Sequence, residues 1–167
     1  MASWYLQMKA SELMKKLESD PEYQEMRKRK DLELKERKAL LVADERDLIE
    51  ELAEAGYEVD SVWDFVNNNN RYEFLRKFEG NYTGAYSILV KHLDIEHHPR
   101  TREGIIRALT EKDANETAFE ALLAAFYQEQ DSNLKWVLAN ALRTVLTRSQ
   151  KTKLPEYKEI YDAKCQP

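Results

Sequence analysis

Residues 97–109, HHPRTREGIIRAL, hold the densest group of side chains that could do chemistry: two adjacent histidines, three arginines and a glycine. Histidine nitrogens are common metal ligands, and glycine near arginine is a feature of phosphate sites. Adjacent histidines, however, have poor geometry for binding one metal ion, and His92 is the only other histidine in the chain. One glycine does not provide the row of backbone amides that cradles a phosphate. We therefore predict no metal ligands and no cofactor here.

Sequence motifs of the common enzyme classes are also missing from the chain. It contains no HExxH or CxxC pair, no Gly-rich nucleotide loop and no nucleophile elbow. Adjacent acids such as Glu50 and Glu51 are explained by an exposed helix surface. The sequence thus favours a protein that is not an enzyme, and we predict no catalytic residues.

The composition predicts long helices joined by short loops. Hydrophobic residues make up 43% of the 167 residues and charged residues 34%, while Gly and Pro number only four each. An all-β protein needs more turn residues than that. No apolar run approaches the roughly 20 residues of a membrane span, so we expect no membrane partner. The first residues lack the order of a secretory signal and Cys165 is the only cysteine, so we expect a cytoplasmic protein.

The net charge of −5 is distributed unevenly along the chain. Residues 45–80 carry four Lys and Arg against ten Asp and Glu, whereas residues 131–167 carry seven against four. A protein that binds polyanions over its whole surface is therefore disfavoured, while a local basic surface stays open.

A long helix is predicted to begin at Pro21. Asp20 has the type of an N-cap residue, and proline is favoured at the first helical position. Nothing in the following residues prevents a helix until Gly56, which is placed to end it. We expect a break near Asp44, because this residue could cap a second helix.

These features divide the sequence into two predicted parts. Residues 1–44 form a charged helical N-terminal extension, which includes a short helix over residues 4–19. Residues 45–167 form a domain of helical repeats, in which further short helices are expected over 71–80 and 155–163.

A repeat of 33 residues appears from residue 83 onward. Shifting the chain by this offset aligns AYSILVKHL, residues 85–93, with AFEALLAAF, residues 118–126. The same offset aligns residues 99–109 with residues 132–142. One constant offset across two helices and their turn indicates two consecutive helical hairpins, which bury their faces by stacking. Their predicted core residues are Phe119, Leu122, Leu123, Phe126, Leu138 and Leu142.

The two repeats resemble those of the HEAT-repeat family of α-solenoids. The resemblance lies in the tight turns HHPRT and QDSNL, in a basic residue early in each second helix, and in Ala108-Leu109 and Ala141-Leu142 near the helix ends. It implies an all-α fold, a short HEAT-like α-α superhelix whose second helices line a concave face. In this arrangement the basic residues Arg102 and Lys135 are expected to pair with acids or carbonyls of neighbouring helices. HHPRTREGIIRAL is then a turn and a second helix, and Gly104 permits close packing.

The family resemblance implies binding rather than catalysis. We predict a non-catalytic scaffold or adaptor module that presents a curved helical surface to a protein partner. The alternative is a nucleic-acid-binding protein of the HEAT-like DNA-glycosylase type with a basic concave face. Basic residues do concentrate in the second helices, but the acidic segment 45–80 disfavours a nucleic acid. The candidate binding face consists of Arg100, Arg107, Arg143 and Arg148.

Overall fold

A computed structural model describes residues 10–68, 80–155 and 157–163. Within these ranges every regular element is helical, so the all-α prediction is confirmed for the described residues. Residues 4–9 of the first predicted helix and residues 71–79 of the helix predicted over 71–80 lie outside them. The α-helices are α1 Ala10–Glu18, α2 Pro21–Glu54, α3 Trp63–Asn67, α4 Tyr86–Leu93, α5 Pro99–Ala108, α6 Asn115–Gln128, α7 Ser132–Val145, α8 Arg148–Lys153 and α9 Tyr157–Asp162.

The chain forms two compact units, one up to Leu40 and one from Leu41 onward. In the first unit, α2 begins at Pro21 as predicted, and the Asp20 carboxylate accepts a hydrogen bond from Glu22 N at 2.9 Å. Leu32 and Leu34 of α2 are largely exposed. This part of α2 is a solvated, charged helix.

The predicted break near Asp44 is wrong, because α2 continues to Glu54 and ends before Gly56, whose φ is +91°. Asp44 does not cap a new helix; its carboxylate accepts a hydrogen bond from the His98 amide at 3.0 Å. Leu48 and Leu52 are fully buried on the same helix. Packing of this helix face against the rest of the second unit explains why the helix does not break here.

The two predicted hairpins are present as α4 with α5 and α6 with α7. The first helices of the two hairpins pack on each other, α4 against α6, and so do the second helices, α5 against α7. The layer of second helices is extended by α3, which packs on α5, and by α9, which packs on α7. The second unit thus contains two layers of helices, and the second helices form the central pair of one layer.

The helix starts in the hairpins follow the predicted turns. Pro99 stands at the first turn of α5, after His98, whose Nδ1 accepts a hydrogen bond from Arg100 N at 3.1 Å. In the second hairpin, the Asp131 carboxylate accepts hydrogen bonds from the amides of Asn133 and Leu134 at 2.8 and 2.9 Å. Both turns therefore end in a side chain that caps the second helix.

Most of the predicted core residues are buried. Leu122, Phe126, Leu138 and Leu142 have no exposed surface, whereas Phe119 and Leu123 are only half-buried at the edge of the core. The buried stripe of α6 consists of Ala118, Leu122, Ala125 and Phe126. Phe119 and Leu123 are four residues apart and lie together on the flank of this stripe, which explains their partial exposure.

Candidate functional site

Two of the four arginines predicted to form a binding face lie together on α5. Arg100 and Arg107 both contact the Glu103 carboxylate, Arg100 through Nη1 at 3.2 Å and Arg107 through Nε at 2.8 Å. All three side chains are partly exposed. The carboxylate offsets part of the positive charge expected on this helix. The concentration of basic residues in the second helices, seen in the sequence, did not reveal these contacts.

Arg100 also stacks on an aromatic ring of α3. Its guanidinium carbon lies 3.4 Å from the ring centre of Trp63, and Trp63 Nε1 donates a hydrogen bond to the Arg100 carbonyl at 3.3 Å. A guanidinium over an indole ring is the most favourable arginine–aromatic pair. Trp63 therefore holds the Arg100 side chain in a defined position.

The other two predicted arginines lie in the C-terminal part of the second unit. Arg143 of α7 lies with its guanidinium carbon 5.4 Å from the ring centre of Tyr161 in α9. Arg148 is exposed at the start of α8, directly after Thr147, which caps that helix. The contacts thus place Arg100 and Arg107 around one carboxylate, and Arg143 beside an aromatic ring.

Partly exposed residues at helical spacing form a continuous stripe on each second helix. Under the 33-residue offset Glu103 corresponds to Trp136, and Arg107 to Asn140. Because α5 and α7 pack side by side, the two stripes belong to one face. We call this face the second-helix surface and define it as Arg100, Glu103, Arg107, Trp136, Asn140 and Arg143.

The basic residues Arg102 and Lys135 were expected to pair with acids or carbonyls of neighbouring helices, and this expectation holds in the first repeat. Arg102 contacts Glu129 at 3.2 Å and donates a hydrogen bond to the Leu93 carbonyl at 2.7 Å. Lys135 instead lies with Nζ 5.0 Å from the ring centre of Phe126, so the contact recorded for it is with an aromatic ring. Arg102 therefore joins the two hairpins, and is not available to a ligand in this geometry.

The histidines of the opening motif have two different environments. His98 is exposed and caps α5, whereas His97 is buried and contacts His92 of α4. His92 Nδ1 and His97 Nε2 are 3.0 Å apart, and the rings are stacked with their centres 5.3 Å apart. The side chains of His92 and His97 are only 1% and 5% exposed. We call these two residues the histidine pair.

A carboxylate of α2 lies at each end of the histidine pair. Glu51 Oε1 is 3.4 Å from His92 Nε2, and Asp44 Oδ2 is 3.4 Å from His97 Nδ1. Glu51 also accepts a hydrogen bond from Lys91 Nζ at 2.6 Å. The four groups form a row, carboxylate–imidazole–imidazole–carboxylate, between α2 and the first hairpin.

The pKa values in this row reflect burial and the neighbouring charges. Burial lowers the pKa of His92, against the opposing effect of the Glu51 carboxylate. Burial would raise the pKa of Asp44, but the nearby Thr101 hydroxyl, the hydrogen bond from the His98 amide and the neighbouring His97 hold it below its usual value. The hydrogen bond from Lys91 lowers the pKa of Glu51, although its own desolvation acts the other way.

Sequence reasoning missed this row because its members are distant in sequence. Asp44 and Glu51 are seven residues apart, a spacing that places both on one face of a helix. That spacing was obscured by the predicted break at Asp44, and nothing in the sequence identifies the helix that α2 packs against. Within the described ranges no three His, Cys, Asp or Glu side chains have an arrangement that could hold a metal ion.

Comparison with known proteins finds no matching family model, no matching curated protein and no matching solved structure. In the part of the chain that the structure describes, no helix combines the length and apolar character needed to cross a bilayer.

Proposed function

We propose that this chain is a cytoplasmic, non-catalytic scaffold or adaptor module that binds a protein partner on a curved, HEAT-like helical surface. The observation that carries the proposal is the composition of the second-helix surface. Three of its six side chains are arginines and one is Trp136. Trp63 of α3 and Tyr161 of α9 flank this surface and lie against Arg100 and Arg143. The packing of α4 on α6 and of α5 on α7 supports the solenoid-like part of the proposal.

Trp, Tyr and Arg are the residues most enriched among the energetic anchors of protein interfaces. They bring a large apolar contact area together with hydrogen-bond donors. Arginine side chains already held against aromatic rings lose less conformational freedom when a partner binds. The second-helix surface is therefore suited to a protein partner, and Arg143 with Tyr161 are its most testable anchors because Tyr161 is 61% exposed.

We expect the variant carrying Arg143→Ala and Tyr161→Ala to lose partner binding by tenfold or more, as removal of interface anchors does. The measurement is chemical crosslinking and affinity capture from an extract of the source organism, with the captured protein then purified and titrated. Tyr127→Ala is the matched control, since Tyr127 is 42% exposed on α6 in the opposite layer. Equal binding of one purified partner by wild type and the double variant would overturn the proposed surface.

The nucleic-acid alternative is favoured by one observation. Residues 132–148 contain Lys135, Arg143 and Arg148 and no acid. Against it stands Glu103, which contacts both Arg100 and Arg107. A duplex lying along both second helices would therefore meet a carboxylate at the centre of the α5 stripe.

We expect no binding of duplex DNA tighter than roughly 10⁻⁴–10⁻⁶ M at physiological salt, the usual non-specific range. Fluorescence anisotropy with a labelled duplex, repeated at several salt concentrations, measures this. If the protein instead binds much more tightly, and Arg107→Glu with Arg143→Glu abolishes the binding, the nucleic-acid function replaces the scaffold. Retention of such binding in this variant would place the DNA elsewhere on the molecule.

A further inference from the structure

The row Glu51–His92–His97–Asp44 has three gaps, and each gap needs one proton to become a hydrogen bond. Two neutral imidazole rings carry one N–H each and so supply only two protons. His92 Nε2, His97 Nδ1 and Asp44 Oδ2 are buried and have no hydrogen-bond partner elsewhere, so each depends on its neighbour in the row. With neutral rings, at least one gap must bring two lone pairs together in a buried place, which is costly.

One additional proton removes this conflict. A singly protonated pair has three N–H groups, one for each gap. It also balances the local charge, because the carboxylates of Asp44 and Glu51 face the pair together with only one cation, Lys91. A fourth proton would again be unfavourable, since two N–H groups would then meet in the 3.0 Å gap between the rings.

The other polar groups around the histidine pair have their own partners. Glu45 of α2 accepts a hydrogen bond from Val62 N at 3.1 Å and lies 3.4 Å from the Thr101 hydroxyl of α5. Arg102 of α5 contacts Glu129 and the Leu93 carbonyl. The His98 amide in the turn donates to Asp44. Neither Glu45 nor Arg102 has a hydrogen bond to the pair, so Asp44, Glu51 and Lys91 set its protonation.

We propose that His92 and His97 share one extra proton between Asp44 and Glu51, and that this proton fastens the C-terminal part of α2 to the first hairpin as a pH-sensitive junction. The central proton moves only across the short gap between His92 Nδ1 and His97 Nε2. In this arrangement the positive charge lies on His97, because Glu51 already pairs with Lys91 whereas Asp44 faces His97. His97 Nε2 then donates to His92 Nδ1, and His92 Nε2 donates to Glu51.

The sign of the pH dependence follows from the number of protons bound in each state. In the unfolded chain both histidines titrate near pH 6.5. The proposed folded pair holds one proton over a wider pH range than the unfolded chain does, so it binds more protons than the unfolded chain above that pH and fewer below it. The stabilisation from the pair is therefore greatest near pH 6.5 and is lost as the pH rises until the pair releases this proton.

The direct test counts protons in the full-length protein. Imidazole ¹⁵N NMR distinguishes protonated from unprotonated ring nitrogens, and the same protein unfolded in urea is the reference. We expect His92 and His97 together to hold one extra proton up to about one pH unit above the unfolded midpoint, an effect of the size that an adjacent carboxylate produces. Two neutral rings at the unfolded midpoint, or two rings that titrate independently, would overturn the proposal.

Asp44→Asn supplies the missing proton in another way. Its amide oxygen can still accept from the His98 amide, while its NH₂ group donates to His97 Nδ1, so the row is complete with two neutral rings. We expect this variant to lose the extra proton in the NMR titration. Its unfolding equilibrium constant, measured with urea, should no longer rise several-fold between pH 6.5 and 8.5 as in wild type.

Asp47→Asn is the matched control, because it removes the same charge from an exposed position on α2. This control should retain both the extra proton and the pH dependence. If Asp44→Asn keeps the extra proton, or if Asp47→Asn loses it to the same extent, the proposed junction is wrong. The NMR titration of wild type decides the proposal even if Asp44→Asn does not fold.

Discussion

Leu122→Ala is expected to lower the free energy of unfolding by about 2–5 kcal/mol, the usual range for truncating a fully buried leucine. Leu122 has no exposed surface and lies in the buried stripe of α6. This helix packs on α7 of its own hairpin and on α4 of the first hairpin, so it forms part of the interface between the hairpins. The alanine variant therefore loses apolar contact and leaves a cavity in a densely packed region. Urea unfolding followed by circular dichroism at 222 nm measures the loss.

Leu123→Ala is the matched control for this prediction. It makes the same chemical change one residue along the same helix, at a side chain that is only half-buried. We expect a clearly smaller loss, because the cost of truncation depends on how much buried volume is vacated. A loss below about 0.5 kcal/mol for Leu122→Ala, or a larger loss for Leu123→Ala, would contradict the register of α6.

The hairpins were predictable because the same pattern of apolar residues occurs twice in the sequence. Leu122 of α6 and Leu142 of α7 are core positions of the second repeat. The 33-residue offset aligns them with Leu89 and Leu109 of the first repeat, and all four are fully buried. Local signals located the helix ends as well. The turns HHPRT and QDSNL indicated where the second helices begin, and Pro99 and Asp131 of these turns stand at the helix starts in the structure.

The continuity of α2 could not be predicted from local signals. Asp44 has the residue type of an N-cap, and in an isolated peptide that would be a reasonable assignment. In the folded chain its carboxylate binds an amide 54 residues away, at His98. Such long-range pairing depends on where the helices pack, and no local pattern contains that information.

The candidate site was predictable only in part, for the same reason. The sequence identified Arg100 and Arg107 on a second helix, but not that Glu103 binds both or that Trp63 lies beneath Arg100. Trp63 follows from the packing of α3 on α5. The partners of His92 and His97 come from α2, more than 40 residues earlier. Each missed contact joins elements whose mutual position is set by tertiary packing.

Gly104 is the point at which that packing can be tested. It lies in the middle of α5, where alanine would ordinarily favour the helix by about 1 kcal/mol. A Cβ at this position would lie 2.5 Å from Val62 Cγ1 and 2.9 Å from Trp63 Nε1. Val62 is fully buried and β-branched, and the Trp63 ring is held by its hydrogen bond to the Arg100 carbonyl. Neither neighbour can move away without breaking other contacts.

We therefore expect Gly104→Ala to destabilise the protein, since overpacking of a core costs about 1–3 kcal/mol and a 2.5 Å approach to Val62 Cγ1 places the cost above the gain in helix propensity. The free energy of unfolding from urea titration measures the net effect. Near-UV circular dichroism should change as well, because the substitution displaces the Trp63 ring from Arg100.

A double-mutant cycle with Val62→Ala isolates the contact between α3 and α5. Val62→Ala removes the methyl group nearest to the new Cβ, so the double variant should lose less stability than the sum of the two single variants. The difference should fall in the range of about 0.5–3 kcal/mol found for directly contacting residues. Strict additivity, or a Gly104→Ala protein more stable than wild type, would show that α3 does not pack on α5 at this distance. The Arg100–Trp63 stack would then lose its structural basis, and with it one of the two arginine–aromatic contacts that support protein binding on the second-helix surface.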